Sequence, residues 1–129
     1  MRFYKVREEI LKGKNIADLP LKVTFYARVS TESDEQLNAL DNQISFFEKF
    51  IKLNKNWTYV NGYIDEGISG STVKRRKKFL QMIDDAKSCY FDLIVTKEVS
   101  DFLEIYLIVS NIHKNYLLMM LVYIFNQME

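Results

Sequence analysis

The sequence predicts an α/β domain with a mostly parallel sheet flanked by helices, and three observations carry this prediction. Segments with strand-like patterns are separated by segments with helical spacing, in the order β-α-β-α-β. The chain has 129 residues, which is enough for one globular domain, and 48% of them are hydrophobic. Its four glycines and one proline exclude a collagen-like or low-complexity chain.

The first half of the predicted domain contains two helices and a strand. Residues 1–20 are expected to form a short amphipathic helix that ends at Gly13, followed by a connector. Residues 21–27 alternate with period two, as a strand does. A capping box at residues 33–36 begins the next helix. Its predicted buried face consists of Leu37, Leu40, Ile44, Phe47, Phe50 and Ile51.

The second half supplies two more strands and a helix. Residues 57–64 alternate again and predict the second strand. Residues 91–95 form a short apolar run, which is typical of a buried parallel strand. The helix between them is marked by Phe79, Met82, Ile83 and Ala86.

Ligands of such sheets bind at the carboxyl ends of the strands, so we expect the chemistry in residues 28–31, 65–78 and 96–100. In the first of these segments, Arg28 could hold a phosphate beside the hydroxyl of Ser30. The spacing alone fits better a serine that caps the following helix beside a solvated arginine, because short motifs often match by chance.

Five consecutive cations, Lys74, Arg75, Arg76, Lys77 and Lys78, follow a turn rich in glycine and serine. A nucleic-acid backbone would explain this density of positive charge. The alternative is a solvated first turn of a helix, although cations at a helix N-terminus oppose the helix dipole. The sequence pattern leaves both interpretations open.

Together these segments resemble the N-terminal catalytic domain of serine site-specific recombinases, the resolvase/invertase superfamily. The resemblance is greatest to the large serine recombinases of phages and conjugative transposons of Firmicutes. It covers about residues 21–100, and residues 1–20 resemble the leader of that subgroup. The matching motifs are Tyr26–Thr31, Asp41–Gln43, Asp65–Gly70 with Arg76 and Phe79, and Phe91–Lys97.

The resemblance implies DNA recombination and integration by a mobile-element enzyme acting on double-stranded DNA. The serine that matches Ser30 attacks a DNA phosphodiester, which forms a 5′-phosphoserine link and frees a 3′-hydroxyl. No metal or other cofactor is implied, and four subunits exchange strands before religation. Without a metal, arginines must neutralise the phosphate.

The motif match assigns roles to individual residues. Asp65 matches an acidic position to which we assign no direct role. The predicted catalytic residues are Ser30, Arg28, Arg76 and Gln43. The predicted DNA- or phosphate-binding residues are Arg28, Arg76, Lys74, Arg75, Lys77 and Lys78.

The chain departs from the family pattern after Ser100. Asp101 and Glu104 stand where the family has two active-site arginines, and each carboxylate is expected to repel the scissile phosphate. Residues 1–100 hold 17 Lys and Arg against 14 Asp and Glu, whereas residues 101–129 hold one Lys against three acids. We therefore divide the chain into a leader (1–20), a partial catalytic core (21–100) and a tail foreign to the family (101–129).

We expect the chain to be a truncated, inactive fragment, with the sheet incomplete at its C-terminal end. A reading frame shifted by one base at Ser100/Asp101 would account for the departure, because codons for Asp101–Ile105 exist that give Arg-Phe-Ser-Arg-Asn in the other frame. The family's long dimer-forming helix does not follow, which argues against self-association of this chain. Sequencing the gene would test the frameshift.

The remaining features point to a cytoplasmic protein without a membrane span. The N-terminus has no signal peptide, and a single cysteine, Cys89, allows no internal disulfide. A single histidine, His113, excludes a site that needs two imidazoles. Tyr116–Phe125 is half as long as a bilayer span, so we expect a helix packed on the sheet or an aggregation-prone appendage.

Two other functions fit parts of the sequence. The first is a non-enzymatic remnant that binds DNA weakly through Lys74–Lys78 or interferes with an intact recombinase. The second is a phosphate-binding signalling module with a doubly wound sheet, which fits the element order but not the full set of motifs.

Overall fold

The computed structural model describes residues 8–29, 34–66, 76–112 and 119–120. Residues 8–11 are helical, and a short 3₁₀ helix, Ile16–Asp18, follows. The helices are α1 (Asp34–Lys52), α2 (Lys77–Lys87) and α3 (Val99–Ile112). The strands are β1 (Lys22–Val29), β2 (Thr58–Tyr59), β3 (Tyr63–Glu66), β4 (Leu93–Thr96) and β5 (Met119–Met120).

The predicted α/β fold with a parallel sheet is confirmed. β1 lies at the centre, and β2, β3 and β4 all pair with it in parallel. β2 pairs with the start of β1, whereas β3 pairs with its end from Tyr26 to Val29. The second predicted strand, residues 57–64, is therefore two short strands that continue along the same edge of β1.

Gly62 lies between these two short strands and passes close to Phe25 of β1. A Cβ atom at Gly62 would lie 2.2 Å from the Phe25 ring. The ring is itself buried and stacks on Phe47 of α1, with the ring centroids 4.5 Å apart. A glycine is therefore required where the chain crosses this ring.

The core lies on both faces of the sheet, because successive side chains of β1 point to opposite faces. On one face, Val23, Phe25 and Ala27 pack with residues of α1 such as Phe47 and Ile51. On the other face, Tyr26 and Ile94 pack against α2 and α3. The α2 residues in that cluster are Phe79, Met82, Ile83 and Ala86, the helix face that the sequence predicts.

The beginning of α1 agrees with the predicted capping box, since the helix starts at Asp34. Ser33, the capping residue of that prediction, lies outside the described residues. So do residues 113–118 and 121–129 of the tail.

Two residues of the tail form a strand in a segment for which a helix is one of the two predictions. Met119 and Met120 form β5, which pairs in parallel with Leu93 and Ile94 of β4. A helix over Tyr116–Phe125 is therefore wrong at these two residues. The edge of β4 that faces away from β1 presents unpaired backbone groups, and an apolar segment can satisfy them by adding a strand. In the described part of the chain, no helix is both long and apolar enough to cross a membrane.

Candidate functional site

Several polar side chains meet at the carboxyl ends of β1 and β3, the position expected of a site in a parallel sheet. Arg28 near the end of β1 is in register with Asp65 of β3. Arg76 is the N-cap residue of α2, and Asp101 lies in the first turn of α3. Four elements therefore bring two arginines and two carboxylates to one end of the sheet.

Asp65 fixes the start of α2. Its carboxylate accepts hydrogen bonds from the backbone N–H groups of Lys78 at 2.9 Å and of Phe79 at 3.0 Å. These N–H groups would otherwise lack partners in the first turn, and an anion there is favoured by the helix dipole. A helix that begins with cations is thus stabilised by an acid from a neighbouring strand, which gives Asp65 the structural role that its motif position leaves open.

Tyr26 connects Asp65 to Arg76. Its phenol donates a hydrogen bond to Asp65 Oδ2 at 2.8 Å and accepts one from Arg76 Nε at 3.2 Å. Burial raises the pKa of Tyr26 well above its ordinary value; the bond from Arg76 opposes this rise and the bond to Asp65 adds to it. The phenol therefore stays protonated and keeps both partners.

Sequence reasoning gave Tyr26 no role of its own beyond its place in the motif. The sequence could have pointed to Tyr26, because this residue lies two positions before Arg28 on a predicted strand of a sheet flanked by helices. A buried phenol there needs a polar partner.

The guanidinium of Arg76 is enclosed by protein. Its side chain is 3% exposed, and its central carbon lies 4.1 Å from the centroid of the Phe79 ring. Nη1 donates a hydrogen bond to Glu104 Oε1. Burial lowers the pKa of Arg76, but the bonds with Tyr26 and Glu104 outweigh it and raise the pKa overall. Arg76 is therefore a charged, held group and not a solvated first-turn residue.

Asp101 lies between the two arginines. Its Oδ1 atom is 3.7 Å from Nη2 of Arg28 and 4.0 Å from Nη2 of Arg76. The Asp101 side chain is 4% exposed, whereas that of Arg28 is 38% exposed. Burial raises the pKa of Asp101, and the charges of Arg28 and Arg76 oppose this rise. Asp101 and Glu104 are the two acids that depart from the family pattern. Asp101 lies beside both arginines that the motifs single out, and Glu104 is paired with Arg76.

The other predicted site residues separate into three groups. Lys77 and Lys78 are exposed at the start of α2. Gln43 lies on α1 in a different cavity of about 270 Å³, which it lines with Asn42, Phe46, Phe47 and Lys97. Ser30, Lys74 and Arg75 lie outside the described residues, so the site geometry includes none of them. Within the described ranges, no cluster of three or more His, Cys, Asp or Glu side chains could hold a metal ion.

Residues 23–104 match the family model described as "Resolvase, N terminal domain". The match covers 82 of the 129 residues and includes β1 except Lys22, all of β4 and the beginning of α3. It extends through Asp101 and Glu104, beyond the predicted boundary at residue 100. No curated protein matches the chain.

Proposed function

The chain belongs to the resolvase N-terminal domain family, and from this premise we propose that it is a serine recombinase catalytic domain that does not complete recombination. The family performs site-specific recombination on DNA. The finer assignments, that Ser30 is the nucleophile and that this chain is inactive, are our proposal.

In an active family member, the serine that matches Ser30, two residues after Arg28 in this sequence, would be the nucleophile toward a DNA phosphodiester. The serine oxygen attacks phosphorus as it loses its proton, and a 5′-phosphoserine ester forms. The bond from phosphorus to the 3′ oxygen breaks, and that oxygen leaves as a hydroxyl after taking up a proton. Such a transfer depends on charges placed around the phosphate oxygens, the role we propose for Arg28 and Arg76.

The observation that carries the proposed inactivity is the pairing of both arginines with internal carboxylates. Asp101 lies within ion-pair distance of Arg28 and Arg76, and Glu104 accepts a hydrogen bond from Arg76. A phosphate that entered this site would meet two negative charges, those of Asp101 and Glu104, beside the two arginines. In a buried site, where charges are weakly screened, this repulsion is larger than at the surface.

A covalent adduct assay tests this proposal. The protein is incubated with supercoiled DNA that carries attachment sites of related elements, and an intact serine recombinase on the same DNA serves as the positive control. We expect no protein–DNA adduct on a denaturing gel. An adduct that disappears in the Ser30→Ala variant would show that the chain cleaves DNA and would overturn the proposed inactivity.

We also infer that residues from Asp101 onward derive from a shifted reading frame. The support is that two acids occupy the positions where the resemblance predicts arginines. The nucleotide sequence from the codon of Lys97 onward tests this inference. If neither alternative frame encodes the two arginines near that point, the inference is wrong.

A second function is supported by the exposed cations at the start of α2. Lys77 and Lys78 are open to solvent next to the sequence neighbours Lys74 and Arg75, so this segment could contact a DNA backbone without cleaving it. The test compares DNA binding at low salt by the wild type and by the Lys77→Gln/Lys78→Gln variant. We expect the variant to bind more weakly. The Lys52→Gln/Lys55→Gln variant, which removes two exposed cations near the end of α1, is the matched control. Equal loss of binding in both variants would show that the α2 cations have no special role.

A further inference from the structure

We propose that Arg28 and Arg76 form a preformed oxyanion site that the carboxylate of Asp101 fills, so that neutralising Asp101 opens it to inorganic phosphate or sulfate. This inference rests on the proposed function for its choice of arginines. It adds that the site persists in the folded protein and has an internal occupant.

The position of the Asp101 carboxylate carries the first step. A single oxygen, Oδ1, lies 3.7 Å from one guanidinium and 4.0 Å from the other. Guanidinium groups that share one anionic oxygen are arranged as they would be around a phosphate. Asp101 therefore lies where an oxyanion would bind.

Asp101 occupies this position imperfectly. Both distances exceed those of a charge-assisted hydrogen bond, which is about 2.7–2.9 Å. Nη2 of Arg76 is buried and makes no hydrogen bond to any residue that the structure describes. A buried donor without a partner is costly, and a tetrahedral oxyanion has oxygens that point in more directions than those of one carboxylate. Phosphate or sulfate can therefore satisfy a donor that Asp101 does not.

Arg76 is held in place independently of Asp101. Its Nε donates to Tyr26, its Nη1 donates to Glu104, and its central carbon lies over the ring of Phe79. Tyr26 is in turn bound by Asp65, which also holds the first turn of α2. Removing the charge of Asp101 therefore leaves the guanidinium oriented, and binding need not order it first.

Arg28 gives the site an opening to solvent. Its side chain is 38% exposed, whereas those of Arg76 and Asp101 are 3% and 4% exposed. A small ion can thus approach from the side of Arg28 and reach the buried Nη2 of Arg76 once the carboxylate charge is gone.

The test compares phosphate binding by the wild type and the Asp101→Asn variant. Isothermal titration calorimetry is performed with inorganic phosphate, then with sulfate, in sodium chloride at constant ionic strength. We expect the variant to bind phosphate at least about tenfold more tightly than the wild type. This is the ratio expected when Nη2 of Arg76 gains one charge-assisted hydrogen bond to the ion. The Asp101→Asn/Arg28→Gln variant should lose this gain.

The Asp92→Asn variant is the matched control. Asp92 is as buried as Asp101, but it hydrogen-bonds the backbone N–H of Lys22 at the opposite end of the sheet. This variant should bind phosphate no better than the wild type. If the Asp101→Asn variant is unfolded in chloride, we expect phosphate to refold it, because an ion that binds the folded state alone stabilises it.

Three results would overturn the inference: affinity of the Asp101→Asn variant equal to that of the wild type, an equal gain in Asp92→Asn, or an unfolded variant that phosphate does not refold. A DNA adduct formed by the wild type would contradict the proposed function without changing these affinities. The two failures are therefore distinguishable.

Discussion

The carboxylate of Asp65 accepts a 2.8 Å hydrogen bond from the phenol of Tyr26, and this contact joins β3 to β1 across the buried end of the sheet. The same carboxylate holds the first turn of α2 through the N–H groups of Lys78 and Phe79. One acid thus sets both the start of a helix and, through Tyr26, the orientation of Arg76. A change at Asp65 must disturb all of these at once.

The Asp65→Ala variant should therefore lose more stability than a variant that removes one bond. It leaves a buried phenol and two helix N–H groups without their acceptor, so we expect a loss of about 3 kcal/mol in the free energy of unfolding. Urea unfolding, followed by the fluorescence of Trp57, measures it. Asp84→Ala, which removes an exposed carboxylate from α2, is the control and should cost far less. Equal losses in the two variants would contradict the role of Asp65.

The contact between Gly62 and Phe25 supports a second prediction. A methyl group at Gly62 would overlap the Phe25 ring, which is fixed by its stacking on Phe47. We expect Gly62→Ala to destabilise the protein by about 1–3 kcal/mol, the usual cost of overpacking a core.

The Gly62→Ala/Phe25→Leu double variant provides the control. Because the smaller side chain makes room for the methyl group, the double variant should lose less stability than the sum of the two single variants. Additive losses, measured by thermal unfolding, would mean that the steric contact is not the cause.

Much of the fold could be predicted because its signals are local in the sequence. The apolar spacing of Phe79, Met82, Ile83 and Ala86 defines the buried face of α2, and the apolar run before Thr96 defines β4. The interruption between β2 and β3 could not be predicted, since the alternation continues through residues 57–64. The interruption is set by the passage of Gly62 over Phe25, a contact between residues far apart in the chain.

The candidate site, like the fold, could be predicted only in part. Motifs point to Arg28 and Arg76, and the rule that ligands bind at the carboxyl ends of parallel strands predicts their end of the sheet. The pairing of Arg76 with Tyr26 and Glu104 could not be predicted, because it depends on how α2 and α3 pack. The ion pairs of Asp101 and Glu104 with these arginines could not be predicted either, because the sequence shows only that two acids stand where arginines are expected.

The buried tyrosines predict a loss of stability at alkaline pH. Burial raises the pKa of Tyr26 and of Tyr63 far above the ordinary value of 10.0, and Tyr63 also donates a hydrogen bond to Asp85 at 2.5 Å. Above pH 10.0 the unfolded chain releases protons that the folded chain retains. The stability that both phenols contribute is therefore complete below this pH and is lost as the pH rises beyond it.

The Tyr63→Phe variant tests this dependence. It should be less stable than the wild type at neutral pH, because the bond to Asp85 is gone, but its stability should fall less steeply above pH 10.0. Urea unfolding at a series of pH values measures both slopes. Between pH 6 and pH 8 the difference between the two proteins should stay constant, and parallel curves above pH 10.0 would contradict the prediction.

The pairing of Asp101 with two arginines leads to the last prediction, which concerns restoring the residue that the family resemblance expects. Asp101→Arg would place a third guanidinium beside Arg28 and Arg76 in a site with little exposure to solvent. Breaking a buried ion pair in this way should cost about 3–5 kcal/mol in the free energy of unfolding. Glu104→Arg should cost less, because its side chain is 38% exposed and the new cation can turn toward water. Asp84→Arg, an equal change of charge at an exposed position on α2, is the control and should leave stability nearly unchanged. Chemical unfolding in chloride buffer gives the order, and a loss for Asp101→Arg no larger than that for Asp84→Arg would show that Asp101 is not needed to balance the two arginines.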